Sequence, residues 1–205
     1  MFPRAPESKP SSNQLPDLVP GTRDRLLNAA HDLFYRRGIR NVGIDEVIAA
    51  AGVAKASLYK HFPSKDELVA ECLRRRDASW RVWLVEQVNA RASSPNAKLL
   101  AVFDVVGLWL ADADFRGCAF QNATVEVADA KHPAHLAAAS HKQGMRAYLG
   151  ELAHSAGVRN PDALADQLAM LLEGALISAL LNGAPATTAT ARAAALFLLR
   201  AAADE

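Results

Sequence analysis

The chain has 205 residues, 51% hydrophobic and 22% charged, a balance that excludes wholesale disorder and a fibrous repeat and leaves enough apolar material for a sizeable core. The formal net charge of +1 hides an asymmetry: residues 1–91 hold 15 Lys and Arg against 11 Asp and Glu, net +4, whereas residues 92–205 hold 8 against 11, net −3. The positive charge sits in the first half, where a polyanion can use it.

Five of the ten prolines (Pro3, Pro6, Pro10, Pro16 and Pro20) fall in the first 20 residues among Ser, Asn and Gln. Residues 1–21 therefore read as a disordered tail. No cationic stretch there precedes an apolar run, and two cysteines, Cys72 and Cys118, cannot build a disulfide framework, so a cytoplasmic protein is expected. From Thr22, the spacing of Leu26, Ala30, Leu33 and Phe34 predicts a helix over 22–37, stopped by Gly38. Two short helices follow around Gly52: Ile44 to Ala51, whose small Ala49, Ala50 and Ala51 are expected to allow close approach, and Ala54 to His61. Glycine suits the turn between them because a left-handed backbone costs it nothing.

Ser64, with Glu67 three residues on, forms a capping box for a helix reaching about Arg91. Further helices are expected near 96–112, 118–130, 133–156, 161–182 and 187–203. Within them, the apolar stretches Leu99–Ala111 and Leu168–Leu181 are broken by Asp104 and Glu173, so neither reads as a membrane span. Strand-like alternation is absent and alanine dominates the second half, so the fold class is all-α.

Two short helices around a tight glycine turn are the plan of a helix-turn-helix. The second carries Lys55, Ser57, Tyr59, Lys60 and His61, all able to meet phosphates or base edges, while Leu58 and Phe62 can anchor it to a core. The stretch from Thr22 to Leu68, above all GVAKASLYKHFPSKDEL at 52–68 after FYRRGIRNVGIDEVIAAAGV, resembles the TetR family of bacterial transcriptional regulators. More weakly, residues 115–149 resemble a branch of that family found among small-molecule-sensing repressors.

The resemblance implies a helix-turn-helix DNA-binding domain at 22–68 and a helical ligand-binding and dimerisation domain at 69–205, joined by the long helix from Ser64. It implies that 54–61 enters the major groove, with Tyr59, His61 and Lys65 on the backbone and Lys55, Ser57 and Lys60 facing the groove. Thr22 and Arg23 open the first helix, whose N-terminal amides can hold a phosphate. Gly43 and Ala54 depart from the family pattern by standing where Ser or Thr usually caps a helix, and Ile48 replaces a usual alanine. The partners implied are operator DNA and a second copy of the chain, meeting through 161–182 and 187–203. Small residues there, including Gly174, Ser178, Ala191 and Ala195, permit close helix contact, and a two-fold axis favours a near-palindromic operator.

Polar residues in the apolar second half mark candidate ligand contacts: Asn122 and Glu126 on one helix side, His141 and Met145 on another stripe, and Glu173. With Trp80, Trp83, Phe103, Trp109 and Phe120 as aromatic walls they suggest a pocket for an apolar or aromatic effector, against the plainer reading of each as core filling or solvated surface. A metal site is not expected, because His135 and His141 fall on different helix faces. Neither a cofactor nor catalysis is expected, since nucleophile, phosphate-loop and zinc-protease motifs are absent. The sequence expectation is thus a repressor released from its operator by a small molecule. Alternatives are a redox or electrophile sensor through Cys118 at a helix start, an enzyme using Glu126 and His141, and a protein-binding adaptor.

Overall fold

The computed structural model describes residues 21–204. Among these are nine helices and no strand: α1 (Thr22–Arg37), α2 (Ile44–Ala51), α3 (Lys55–His61), α4 (Lys65–Arg91), α5 (Pro95–Leu110), α6 (Ala119–Val127), α7 (Pro133–Ser155), α8 (Pro161–Asn182) and α9 (Ala184–Asp204). The expected tail at 1–21 lies outside the described residues except for Gly21, which precedes α1.

The ends of the helices have local causes. Gly52 adopts a left-handed conformation (φ 62°) at the end of α2, as the turn required. Ser64 Oγ accepts from the Glu67 N–H at 3.1 Å, which starts α4. Neither Gly43 nor Ala54 supplies a side-chain cap. At Gly43 the Glu46 carboxylate accepts from the backbone N–H at 2.9 Å.

Several boundaries differ from the sequence expectation. α3 begins at Lys55 with Ala54 just outside it. α5 begins at Pro95, a residue suited to the first helical position, and ends at Leu110. α6 stops at Val127 rather than 130, because Ala128 turns left-handed (φ 52°). α9 begins at Ala184 rather than 187, since Pro185 is tolerated in a first turn whose N–H groups have no intrahelical partner. Close approach at α2 rests on Val47 and Ala51, both buried; Ala49 and Ala50 are exposed.

The chain divides into two compact units. The first, the head unit, comprises 21–79 and Cys118–His141: α1–α3, the first half of α4, α6 and the start of α7. The second, the bundle unit, comprises Trp80–Gly117 and 142–204: the rest of α4 and α7 with α5, α8 and α9. The units thus divide the chain elsewhere than 22–68 and 69–205. The reason is tertiary: α6, remote in sequence, is bonded to the head, and both long helices contribute to each unit.

In the head unit, Leu26, Leu27, Val47 and Leu58 are fully buried where α1 packs with α2 and α3. Removing such a side chain from water is worth about 1.5–3 kcal/mol. α4 is tied to α1 by a row of polar contacts: Glu71 with Arg23, Arg75 with Asn28 at 2.8 Å, and Arg76 with His31 at 2.7 Å.

In the bundle unit α9 packs on α8 and α5. A Cβ at Gly107 of α5 would collide with Thr188 of α9, so glycine is what lets these helices cross closely. Over 18 residues α8 reaches a mean hydropathy of 1.6, enough by length and composition alone to cross a membrane. Its Leu164, Leu168, Leu172 and Leu176 are buried in the unit, and Glu173 within it pairs with Lys142 at 2.7 Å. These contacts account for the apolarity of one side of α8, while Met170, Ile177, Leu180 and Leu181 remain exposed.

Candidate nucleic-acid interface

The chemistry of α3 follows from its two sides. Leu58 and Phe62 are buried against the head core, which turns Lys55, Tyr59, Lys60 and His61 to solvent, with Ser57 half-buried. A seven-residue helix has almost no intrinsic stability, so these two anchors hold the polar side in place. Behind it, Arg25 Nη1 reaches the Gly52 carbonyl at the long distance of 3.5 Å, linking α1 to the turn.

The basic side chains are not equivalent. Lys60 is exposed and forms no ion pair with the described residues, so none need break before it meets a phosphate. Lys55 Nζ donates to Asp45 at 2.9 Å, and that hydrogen bond and charge hold its ammonium above the usual lysine range. Lys65 Nζ donates to the Ile39 carbonyl at 2.6 Å and lies 5.8 Å from the centre of the Phe34 ring, so its ammonium braces the α1–α2 turn. Arg23 pairs with Glu71 and lies over Phe62, beside half-buried Thr22.

The ligand candidates are distributed over both units. In the bundle unit, the Trp80 ring centre lies 6.4 Å from that of Trp83 and 6.0 Å from that of Trp109, which in turn meets Phe115 edge-on at 5.1 Å. Phe103 and Met145 are buried there and Glu173 carries its Lys142 pair. In the head unit Phe120 stacks flat on His141, with ring centres 3.6 Å apart, and His141 Nδ1 bonds Asp77 at 2.6 Å. His141 is thus a buried, hydrogen-bonded histidine. Cys72 and Cys118 are both buried free thiols; burial pushes Cys72 up to about 12, leaving it protonated at neutral pH.

Asn122 and Glu126 border a half-open cleft between α1, α4 and α6 of the head unit, whose space of about 400 Å³ includes the open solvent at its mouth. Its walls include Phe34, Val69 and Leu73, and its polar groups include His31, Tyr35 and Arg76. His31, Phe34 and Tyr35 escaped the sequence reading because α1 was assigned to DNA binding, and Val69, Leu73 and Arg76 because no local pattern showed that their side of α4 meets α6. Arg76, a cation on the buried flank of α4, was the available signal. Glu126 Oε2 accepts from the Arg40 N–H at 2.9 Å and crowds Gly38, whose φ of +86° and lack of a Cβ make room for the carboxylate. Among the described residues no cluster of His, Cys, Asp and Glu suits a metal ion.

An anchored, cation-bearing second helix after a glycine turn, in a chain whose described residues form helices and no strand, fits a helix-turn-helix DNA-binding regulator. A family model described as "Bacterial regulatory proteins, tetR family" matches residues 26–72, and one described as "Tetracyclin repressor-like, C-terminal domain" matches 95–195. The chain is 32% identical to SCO4454, a TetR-family transcriptional regulator from Streptomyces coelicolor, with a TM-score of 0.83 over 89% of this chain and 90% of that one. It is 34% identical to the sav143 protein of Streptomyces avermitilis, with a TM-score of 0.78 over 90% and 99% of the two chains. The HTH-type transcriptional regulator YjdC of Escherichia coli is 27% identical over 87% of this chain and 93% of its own length. The chain belongs to the TetR family of transcriptional regulators.

Proposed function

We propose that the protein is a homodimeric repressor that holds a near-palindromic operator through α3 and releases it when a small molecule binds. The observation that carries this reading is the exposed row Lys55, Tyr59, Lys60 and His61 held by buried Leu58 and Phe62. Supporting the repressor sense, the KstR2 protein of Mycolicibacterium smegmatis, an HTH-type transcriptional repressor, is 36% identical over 40% of this chain and 39% of its own length. Lys60, Lys55 and Ser57 face the groove, while Tyr59, His61 and the N-terminus of α1 at Thr22 and Arg23 meet the backbone. Lys65 acts by bracing the α1–α2 turn, and reaches a phosphate only by giving up the Ile39 carbonyl.

Dimerisation through α8 and α9 is supported by apolar side chains that the single chain leaves in water: Ile177, Leu181 and Phe197 are 49%, 74% and 74% exposed. On α8, Gly174 is exposed and Ser178 half-buried, small enough for close packing of a second copy, whereas Ala191 and Ala195 of α9 are buried within the chain's own bundle. Two-fold symmetry then presents two α3 helices to half-sites about 34 Å apart or a multiple of it. The effector is apolar or aromatic and meets the Trp80, Trp83 and Trp109 group. α4 and α7, which contribute to both units, carry the change in the bundle to the heads, as the coupling of two sites requires. The protein acts in the cytoplasm, where its operator is.

Titration of a duplex from the protein's own promoter region against a scrambled duplex, with sizing of the free protein, tests the reading. A dimer with salt-dependent preference for the promoter duplex is expected, and Leu181→Glu should yield monomers that bind it at least tenfold more weakly. A monomeric protein indifferent to duplex sequence would overturn it.

A further inference from the structure

The head-unit cleft is lined mainly by apolar surface, and its one lining cation, Arg76, is held from two sides. Arg76 Nη1 donates to His31 Nε2 at 2.7 Å, and the guanidinium carbon lies 4.7 Å from the centre of the Tyr35 ring. Because arginine only donates, His31 Nε2 must be the accepting nitrogen, which leaves Nδ1–H to donate to Asp32 at 3.3 Å. Burial, then the Arg76 charge, keep His31 in that neutral form by lowering its pKa. The relay Arg76 to His31 to Asp32, with Tyr35 beneath, therefore positions a half-buried guanidinium at the border of a largely apolar space. On the α6 wall, Glu126 is held by the Arg40 N–H.

We infer that this cavity is a second small-molecule site, separate from the aromatic group of the bundle unit, and that it takes a compact apolar carboxylate. A guanidinium matches a carboxylate with parallel N–H donors, and one set in apolar surroundings attracts an anion more strongly than one in water does. Phe34, Ile39, Val69 and Ala123 offer the body of the ligand an apolar lining. The two charged walls set its direction: Arg76 attracts the carboxylate and Glu126 repels it, so the apolar end faces α6. A neutral molecule of the same shape lacks the guanidinium contact and binds less well.

Benzoate and benzyl alcohol, nearly equal in size and differing in charge, serve as probes, with binding read by calorimetry and by the benzoate-induced rise in Tm of the full-length protein. Benzoate should bind saturably and at least fivefold more tightly than benzyl alcohol. Arg76→Gln should abolish that preference, and Ala119→Leu, which narrows the cavity from α6, should weaken both probes at least tenfold while helical circular dichroism and promoter-duplex binding persist. In Trp109→Leu, which disturbs the aromatic group of the bundle unit, the Arg76-dependent preference for benzoate over benzyl alcohol should persist. Equal binding of the two probes, absence of benzoate binding, or a benzoate response lost in Trp109→Leu but kept in Arg76→Gln would overturn the inference. Failure here with selective duplex binding intact leaves the repressor reading standing, whereas loss of selective duplex binding removes that reading and leaves the benzoate result to be judged alone.

Discussion

The two units of this protein solve the packing of helices differently. The head unit uses short helices, buried Leu and Phe anchors, and polar cross-ties: Arg23 with Glu71, Arg76 with His31, and Glu126 with the Arg40 backbone. The bundle unit has ion pairs of its own, Lys142 with Glu173 and Arg192 with Asp104, but its long Ala- and Leu-rich helices also meet where a side chain is missing, as at Gly107 under Thr188. The contrast fits the tasks proposed for them. A DNA-reading surface must hold a few polar groups in fixed positions, and directional bonds do that. A bundle that senses a ligand or a second chain needs contact area, which small residues and apolar faces provide.

Core truncations should test this contrast most severely. Leu58→Ala is expected to lower the unfolding free energy by about 2–5 kcal/mol and Phe103→Ala by about 3–5 kcal/mol, both read by urea unfolding. Only the first should remove hydrogen-exchange protection from α1–α3 under native conditions. Equal loss of α1–α3 protection in Phe103→Ala would show that the two units open as one and that the distinction has no energetic content.

A smaller effect is expected at the helix crossing. Gly107→Ala should cost about 1–3 kcal/mol by overpacking, and Thr188→Ala in the same chain should restore part of it, an interaction that a double-mutant cycle measures. On the reading surface, Lys60→Ala should weaken promoter-duplex binding about tenfold and lower the salt slope by about 1 if the ammonium meets a phosphate. Lys55→Ala should do less, because Lys55 must first leave Asp45.

The smallest expected effect is a pH dependence confined to the head. His31 titrates lower in the folded chain than its ordinary value of 6.5. The unfolded chain therefore binds the proton first, and the contribution of neutral His31 is complete above pH 6.5 and is lost as the pH falls through the folded value. Wild type should lose more urea resistance between pH 7.5 and 5.5 than His31→Gln does. Matching losses would remove His31 from the account.

Local sequence specified which segments are helical, that Gly52 ends α2 and Ser64 begins α4, and which residues of α3 could be offered to DNA. Those properties depend on caps, turns and a 3.6-residue period, all expressed within a few neighbouring residues. It also placed Asn122 and Glu126 on one side of α6, but as partners of tryptophans that belong to the other unit. Only the tertiary structure decided that Glu126 closes onto Gly38 and Arg40, that Lys65 bends inward to the Ile39 carbonyl, and that Arg76 stands between His31 and Tyr35 at a cavity. Those outcomes depend on which helix faces meet across 26 to 86 residues of chain. No local pattern of residues encodes that pairing.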